Sequence, residues 1–180
     1  MPCDTKLHKA AHNGNISELI ELFEDNNNGE LDVNAAGAGE RRPIHRAAGT
    51  NKAEAIKFLI EKGATVNQVD ATRRSPFHWA AIGGHIDAGV ALIEAGANIY
   101  ATSASQTTAL HAACEGGYDQ FVSLIILMAK ERIHELFDSR DSDNKLPFQL
   151  ALEGKHRAVI RALKKGGDKN ALASSVCTVS

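Results

Sequence analysis

The sequence predicts an all-α chain in which helix-turn-helix units, joined by hairpin-like loops, stack into a solenoid. Three observations predict it. The segment Arg42-Pro43-Ile44-His45-Arg46-Ala47-Ala48 returns as Ser75-Pro76-Phe77-His78-Trp79-Ala80-Ala81 and as Thr108-Ala109-Leu110-His111-Ala112-Ala113-Cys114, so that His45, His78 and His111 stand 33 residues apart. Behind each marker comes a polar or Gly turn and a stripe of apolar residues three to four apart. In the second and third copies a closing Gly follows at Gly63 and Gly96. The same frame reaches back to Thr5-Lys6-Leu7-His8-Lys9-Ala10-Ala11 and forward to Leu146-Pro147-Phe148-Gln149-Leu150-Ala151-Leu152. A fixed period of this length marks a repeat architecture, in which no unit buries its apolar face alone and neighbours must stack.

In chain order, the first copy opens a short helix after Thr5. Its second helix, Ser17 to Asp25, carries Glu18, Glu21, Glu24 and Asp25 and ends in the loop Asn26-Asn27-Asn28-Gly29, which reads as a solvated cap. The second copy starts at Pro43, suited to the first turn because its missing N–H would find no partner there anyway, and Ala47-Ala48 keep that helix thin. Ile56, Leu59 and Ile60 give its second helix an inward stripe, and Gly63 closes it in the left-handed conformation. Asn51-Lys52 replace the usual Gly-polar pair, so that turn is expected to be distorted. The third copy repeats the plan from Pro76 to Gly96. In the fourth, about five extra residues between Ile126 and Leu136 include Lys130-Glu131-Arg132, and the spacing of Ile125, Met128, Arg132 and Ile133 predicts one extended helix. The fifth starts at Pro147; Val159, Ile160 and Leu163 face inward while Lys155, Arg157, Arg161, Lys164 and Lys165 dress the outside as the other cap.

The T-P-L-H-x-A-A pattern and the 33-residue period resemble the ankyrin repeat, over residues 5 to about 168. The resemblance divides the chain into repeats at about 4–36, 41–70, 74–103, 107–141 and 145–168, followed by a flexible tail at 169–180. It implies that each marker histidine hydrogen-bonds to the neighbouring turn, a duty an amide can take over at Gln149. It also implies binding of another protein through loop tips at 37–42, 70–74, 103–107 and 139–145, and through a groove formed by the first helices. By position, the partner-binding candidates are Arg41, Arg42, Arg46, Arg73, Arg74, Trp79, Ile82, Glu115 and Lys145, with Thr50 and Glu153 on the groove face. Trp79, the lone tryptophan, belongs to a residue type that dominates interfaces, yet in this place it can equally pack against its neighbour repeat. The doublets Arg41-Arg42 and Arg73-Arg74, one repeat apart, can grip an acidic segment or stay solvated.

Composition narrows the function classes. With 43% hydrophobic residues and 23% charged, the chain is too apolar for intrinsic disorder. Twenty Lys and Arg against 22 Asp and Glu leave a net charge of -2, which argues against nucleic acid or an anionic membrane as broad partners. The balance is uneven: Ala10 to Glu40 holds seven acids and no Lys or Arg, and Glu153 to Lys169 six bases against two acids. Cys3, Cys114 and Cys177 are odd in number and lack paired metal-site spacing, which fits a reducing, cytoplasmic setting. The marker histidines are strung along a stack and cannot converge on one ion, so no metal site is expected. No nucleophile elbow, phosphate-cradling loop or H-E-x-x-H is present, so neither catalytic residues nor a cofactor are expected. The ending Cys177-Thr178-Val179-Ser180 resembles a C-a-a-X prenylation box, with Cys177 as lipid acceptor; it is the one feature by which a membrane enters the reading. The expectation is a monomeric, non-catalytic adaptor or scaffold for another protein. The alternative is an inhibitor or regulatory subunit blocking an enzyme such as a kinase.

Overall fold

The computed structural model of the chain describes residues 3–26 and 31–173. Helices occur in consecutive pairs: α1 (Lys6–Asn13) with α2 (Ile16–Glu24), α3 (Pro43–Ala48) with α4 (Ala53–Glu61), α5 (Pro76–Gly83) with α6 (Ile86–Glu94), and α7 (Ala109–Gly116) with α8 (Asp119–Ala129). After a short α9 (Ile133–Phe137) comes a further pair, α10 (Pro147–Glu153) with α11 (Arg157–Lys165), and then α12 (Lys169–Ala173). There is no strand among the described residues.

The chain forms two compact units, Met1–Asn98 and Ile99–Ser180. In the first, α1, α3 and α5 pack side by side as one layer and α2, α4 and α6 as a second; in the second unit α7 packs on α10 and α8 on α11. The first helices approach closely because the facing residues are small: Ala10, Ala11, Ala47, Ala48, Ala80, Ala81, Ala113 and Cys114 are all fully buried. The second helices supply bulk, with Leu19, Ile56, Leu59, Leu92, Phe121, Ile125, Val159 and Leu163 equally inaccessible. Each such side chain contributes about 1.5–3 kcal/mol when fully buried.

The turn within each pair needs a left-handed residue. Gly14, Gly84 and Gly117 supply it at φ +70°, +65° and +76°. Asn51 and Lys155 take the same place at φ +57° and +56°. The turn at Asn51-Lys52 is therefore not distorted. Asn tolerates this conformation better than most residues, and the Asn51 side chain also reaches the next helix, accepting from the Ala88 N–H at 3.0 Å and donating to Asp87 at 3.1 Å.

Two further sequence expectations change. The fourth copy does not hold one extended helix: α8 stops at Ala129, Lys130 turns to φ +47° and ψ −123°, and a 3-10 turn over Lys130–Arg132 leads into α9. Helical spacing survives on both sides of the break, which is why spacing alone missed it. Residues Lys169–Ala173, read as the start of a flexible tail, form α12, whose first amides, of Asn170 and Ala171, donate to the Asp168 carboxylate. Cys177 and most of the Asn26 to Gly29 loop lie outside the described residues.

Candidate partner-binding surfaces

The marker histidines are structural. In every copy the backbone N–H of the residue before the first helix donates to the third residue of that helix. Thr5, Arg42, Ser75 and Thr108 donate to Nδ1 of His8, His45, His78 and His111 at 3.0–3.2 Å, and Leu146 donates to Gln149 Oε1 at 2.8 Å. The opposite ring nitrogen then donates to the next loop: His8 Nε2–H to the Arg41 carbonyl at 3.0 Å, His45 to Arg74 at 3.2 Å, and His111 to Lys145 at 3.2 Å. Because Nδ1 accepts, the proton of this tautomer sits on Nε2. Burial pushes His45 down to about 4, more than the Asp70 charge and the Arg74 carbonyl recover, and burial lowers His111 as well. No His/Cys/Asp/Glu cluster able to hold a metal is found among the described residues.

Sequence reading missed a second set of cross-links. His85 Nε2–H donates back to the Gly49 carbonyl at 3.1 Å and His156 to the Glu115 carbonyl at 2.9 Å. In the loops, Asn34 and Asn67 donate to the Gly63 and Gly96 carbonyls and accept from the N–H of Thr65 and Asn98. These residues recur in only two copies each, too few for periodicity to separate them from surface polars.

With the backbone pinned in this way, the first unit presents a hollow of about 140 Å³ lined by His12, Arg41, His45, Arg46, Gly49, Thr50 and Trp79. Trp79 is the centre of it. The Arg41 guanidinium stacks 4.2 Å above its ring, that of Arg74 lies 5.9 Å away, and its indole N–H donates to Asp70 Oδ2 at 3.0 Å. The Asp70 carboxylate is almost inaccessible. Burial alone would raise its pKa, but the Thr72 hydroxyl, the Arg74 and Thr72 N–H groups and the indole hold it below the usual carboxylate range. Arg41 lies 3.9 Å from this carboxylate, a loose pair. Arg46 is more firmly held, 2.7 Å from Asp4. Burial would raise Asp4 too, yet the Ala38 N–H and Arg46 hold it low. Neither acid was legible as a site residue, since Asp4 is 42 residues from Arg46 and no period joins them.

The remaining candidates divide between the units. The Arg42 guanidinium donates to the Glu40 carbonyl, Arg73 sits exposed at the loop tip with φ +59°, and Ile82 is exposed on the last turn of α5. Glu115 and Lys145 lie in the second unit, around a separate hollow of about 370 Å³ rich in acids, where Lys145 pairs with Glu153 at 2.7 Å. The structure thus joins Arg41, Arg46 and Trp79 in one hollow, with Arg74 beside the indole, and places Glu115 and Lys145 elsewhere. A larger hollow of about 580 Å³ between α4 and α6, walled by charged residues such as Lys52, Glu54, Lys57, Asp87 and Glu94, had no sequence signal.

No helix among the described residues is long and apolar enough to cross a membrane. Comparison with curated proteins finds no match. A family model for ankyrin repeats, in three copies, matches residues 7–103. Repeats of this kind are general protein–protein interaction modules, typically without catalysis, and their helix pairs are those of α1 to α6. By that match and by its all-helical fold, the chain belongs to the ankyrin repeat family.

Proposed function

We propose that the chain is a non-catalytic adaptor that binds another protein through the exposed face of its first helices and through its loop tips, and that the pairs α7–α8 and α10–α11 are its fourth and fifth repeats. The observation that carries the partner reading is the Trp79 hollow. An indole with two guanidinium groups over it gathers the residue types that dominate interfaces on a scaffold whose backbone is pinned by buried histidines, and Ile82 is exposed on the same helix, α5. The histidine bonds at His111 and Gln149, in the same register as those at His8 and His45, support the two later repeats.

Site-specific photo-crosslinking tests it. A photoreactive residue at Ile82 is expected to capture a discrete protein, and one at Lys57, on the second-helix face, is not. Loss of that adduct in Trp79→Ala with the helix content unchanged supports the assignment; equal capture from both positions sinks it. If the captured partner is an enzyme and its activity falls on binding, the chain acts as an inhibitor instead of a scaffold. The reading includes a monomer in solution, checked by light scattering, and lipidation of Cys177, which rests on the Cys177-Thr178-Val179-Ser180 sequence alone. An unmodified intact mass from eukaryotic cells removes the membrane tether.

A further inference from the structure

We propose that the Trp79 hollow takes an oxyanion, a carboxylate or phosphoryl group carried on an acidic segment of the partner protein. This rests on the protein-binding reading above and names the chemistry of its ligand. Three observations carry it. The first is uncompensated charge. Arg41 and Arg46 line the hollow and Arg74 lies beside the indole; Asp4 neutralises Arg46, and the other carboxylate within ion-pair distance among the described residues, Asp70, is 3.9 Å from Arg41. The second is unsatisfied donors. The Nε atoms of Arg41 and Arg46, both lining the hollow, are buried without a hydrogen-bond acceptor, so these guanidinium groups have lost water without gaining a full set of partners. An anion at the hollow offsets that cost, since it interacts with the whole delocalised charge. The third is presentation. The Arg41 guanidinium has one face on the indole and its Nε buried, but the side chain is 34% exposed, which leaves its two Nη groups for paired hydrogen bonds to a planar carboxylate or a phosphoryl group.

The same numbers favour a peptide over a nucleic acid. The first unit as a whole has ten Lys and Arg against thirteen Asp and Glu, so the positive charge is a local island in an acidic unit. A hollow of about 140 Å³ accommodates one acidic group, whereas a phosphate backbone needs a basic track.

The lone tryptophan makes the test direct, because Trp79 emission reports on the hollow itself. The full chain is titrated, by fluorescence and by calorimetry, with five ligands: a glutamate-rich peptide, its phosphoserine counterpart, a lysine-rich peptide of equal length, inorganic phosphate, and a single-stranded RNA of equal charge. Saturable binding of either acidic peptide, weakened at least tenfold in Arg41→Gln/Arg74→Gln and unchanged in Lys57→Gln, supports the proposal. The tighter of the two acidic peptides says whether carboxylate or phosphoryl is preferred. Equal binding of the lysine-rich peptide, unaltered affinity in the arginine double variant, saturation by inorganic phosphate with no peptide binding, or a single-stranded RNA of equal charge bound more tightly than the peptides each overturns it. If the acidic peptides fail while the Ile82 crosslink persists, this inference falls and the adaptor reading stands.

Discussion

A methyl group at position 37 has no room. An added Cβ there meets Asp4 Oδ1 at 2.5 Å and His8 Nε2 at 2.6 Å, and neither can step aside. The His8 ring is held at both nitrogens, and Asp4 is tied to the Ala38 N–H and Arg46. Gly37→Ala is therefore expected to lower stability by about 1–3 kcal/mol, the usual cost of overpacking a filled site, read from the urea midpoint. A change too small to resolve shows that the loop relaxes. Cys114 gives a second residue-level outcome: burial pushes its thiol up, well out of the reactive range, so it stays unlabelled by iodoacetamide until the chain unfolds. At this scale the marker histidines were legible because one bond is local and the other repeat-spaced. The partners of Trp79 were not. Arg41 and Asp70 reach it from sequence separations that no period predicts, and only side-chain direction shows that two of the four loop arginines stack on the indole while Arg46 is bound internally.

At the scale of elements, helix starts followed from Pro43, Pro76 and Pro147, and their apolar stripes from spacing; the interruption after α8 did not. Periodicity records which residues face inward, and Ile125 and Ile133 are both buried on either side of the break, so the pattern is blind to it. What spacing cannot show is a backbone that turns to φ +47° at Lys130, a conformation L side chains rarely adopt. A residue other than Gly in such a region costs about 1–3 kcal/mol, and Gly gives back about 0.5–1 kcal/mol through the freedom it adds to the unfolded chain. Lys130→Gly is accordingly expected to stabilise the chain by about 1 kcal/mol, visible as a raised Tm, whereas Lys130→Pro, whose ring enforces negative φ, lowers it. A lower Tm for the Gly variant contradicts a strained hinge between α8 and α9.

For the whole molecule, buried titrations in both units combine into one acid response. His45 in the first unit is depressed to about 4 from an ordinary 6.5, and His111 in the second moves the same way. As pH falls, the unfolded chain takes up these protons before the folded one does, so stability is fully present above pH 6.5 and drains between there and about 4. His45 alone accounts for about 3 kcal/mol of that loss, at 1.36 kcal/mol per pH unit. Asp4 and Asp70, held below 3.8, add a second loss only beneath that value. Asp168 acts in the opposite sense, since burial and the neighbouring Asp138 raise it, and protonation in acid relieves the folded state. The histidine share can be isolated because the last copy already shows the replacement: Gln149 accepts the same backbone N–H at 2.8 Å and carries no proton equilibrium. In His45→Gln/His111→Gln, urea midpoints are measured from about pH 7.5 to about pH 3; down to about pH 4.5 they are expected to fall by less than half as much as in the unaltered chain, while the drop below pH 3.8 persists. Equal pH dependence in the two proteins places the acid sensitivity in the carboxylates and dismisses the neutral, buried imidazoles as its source.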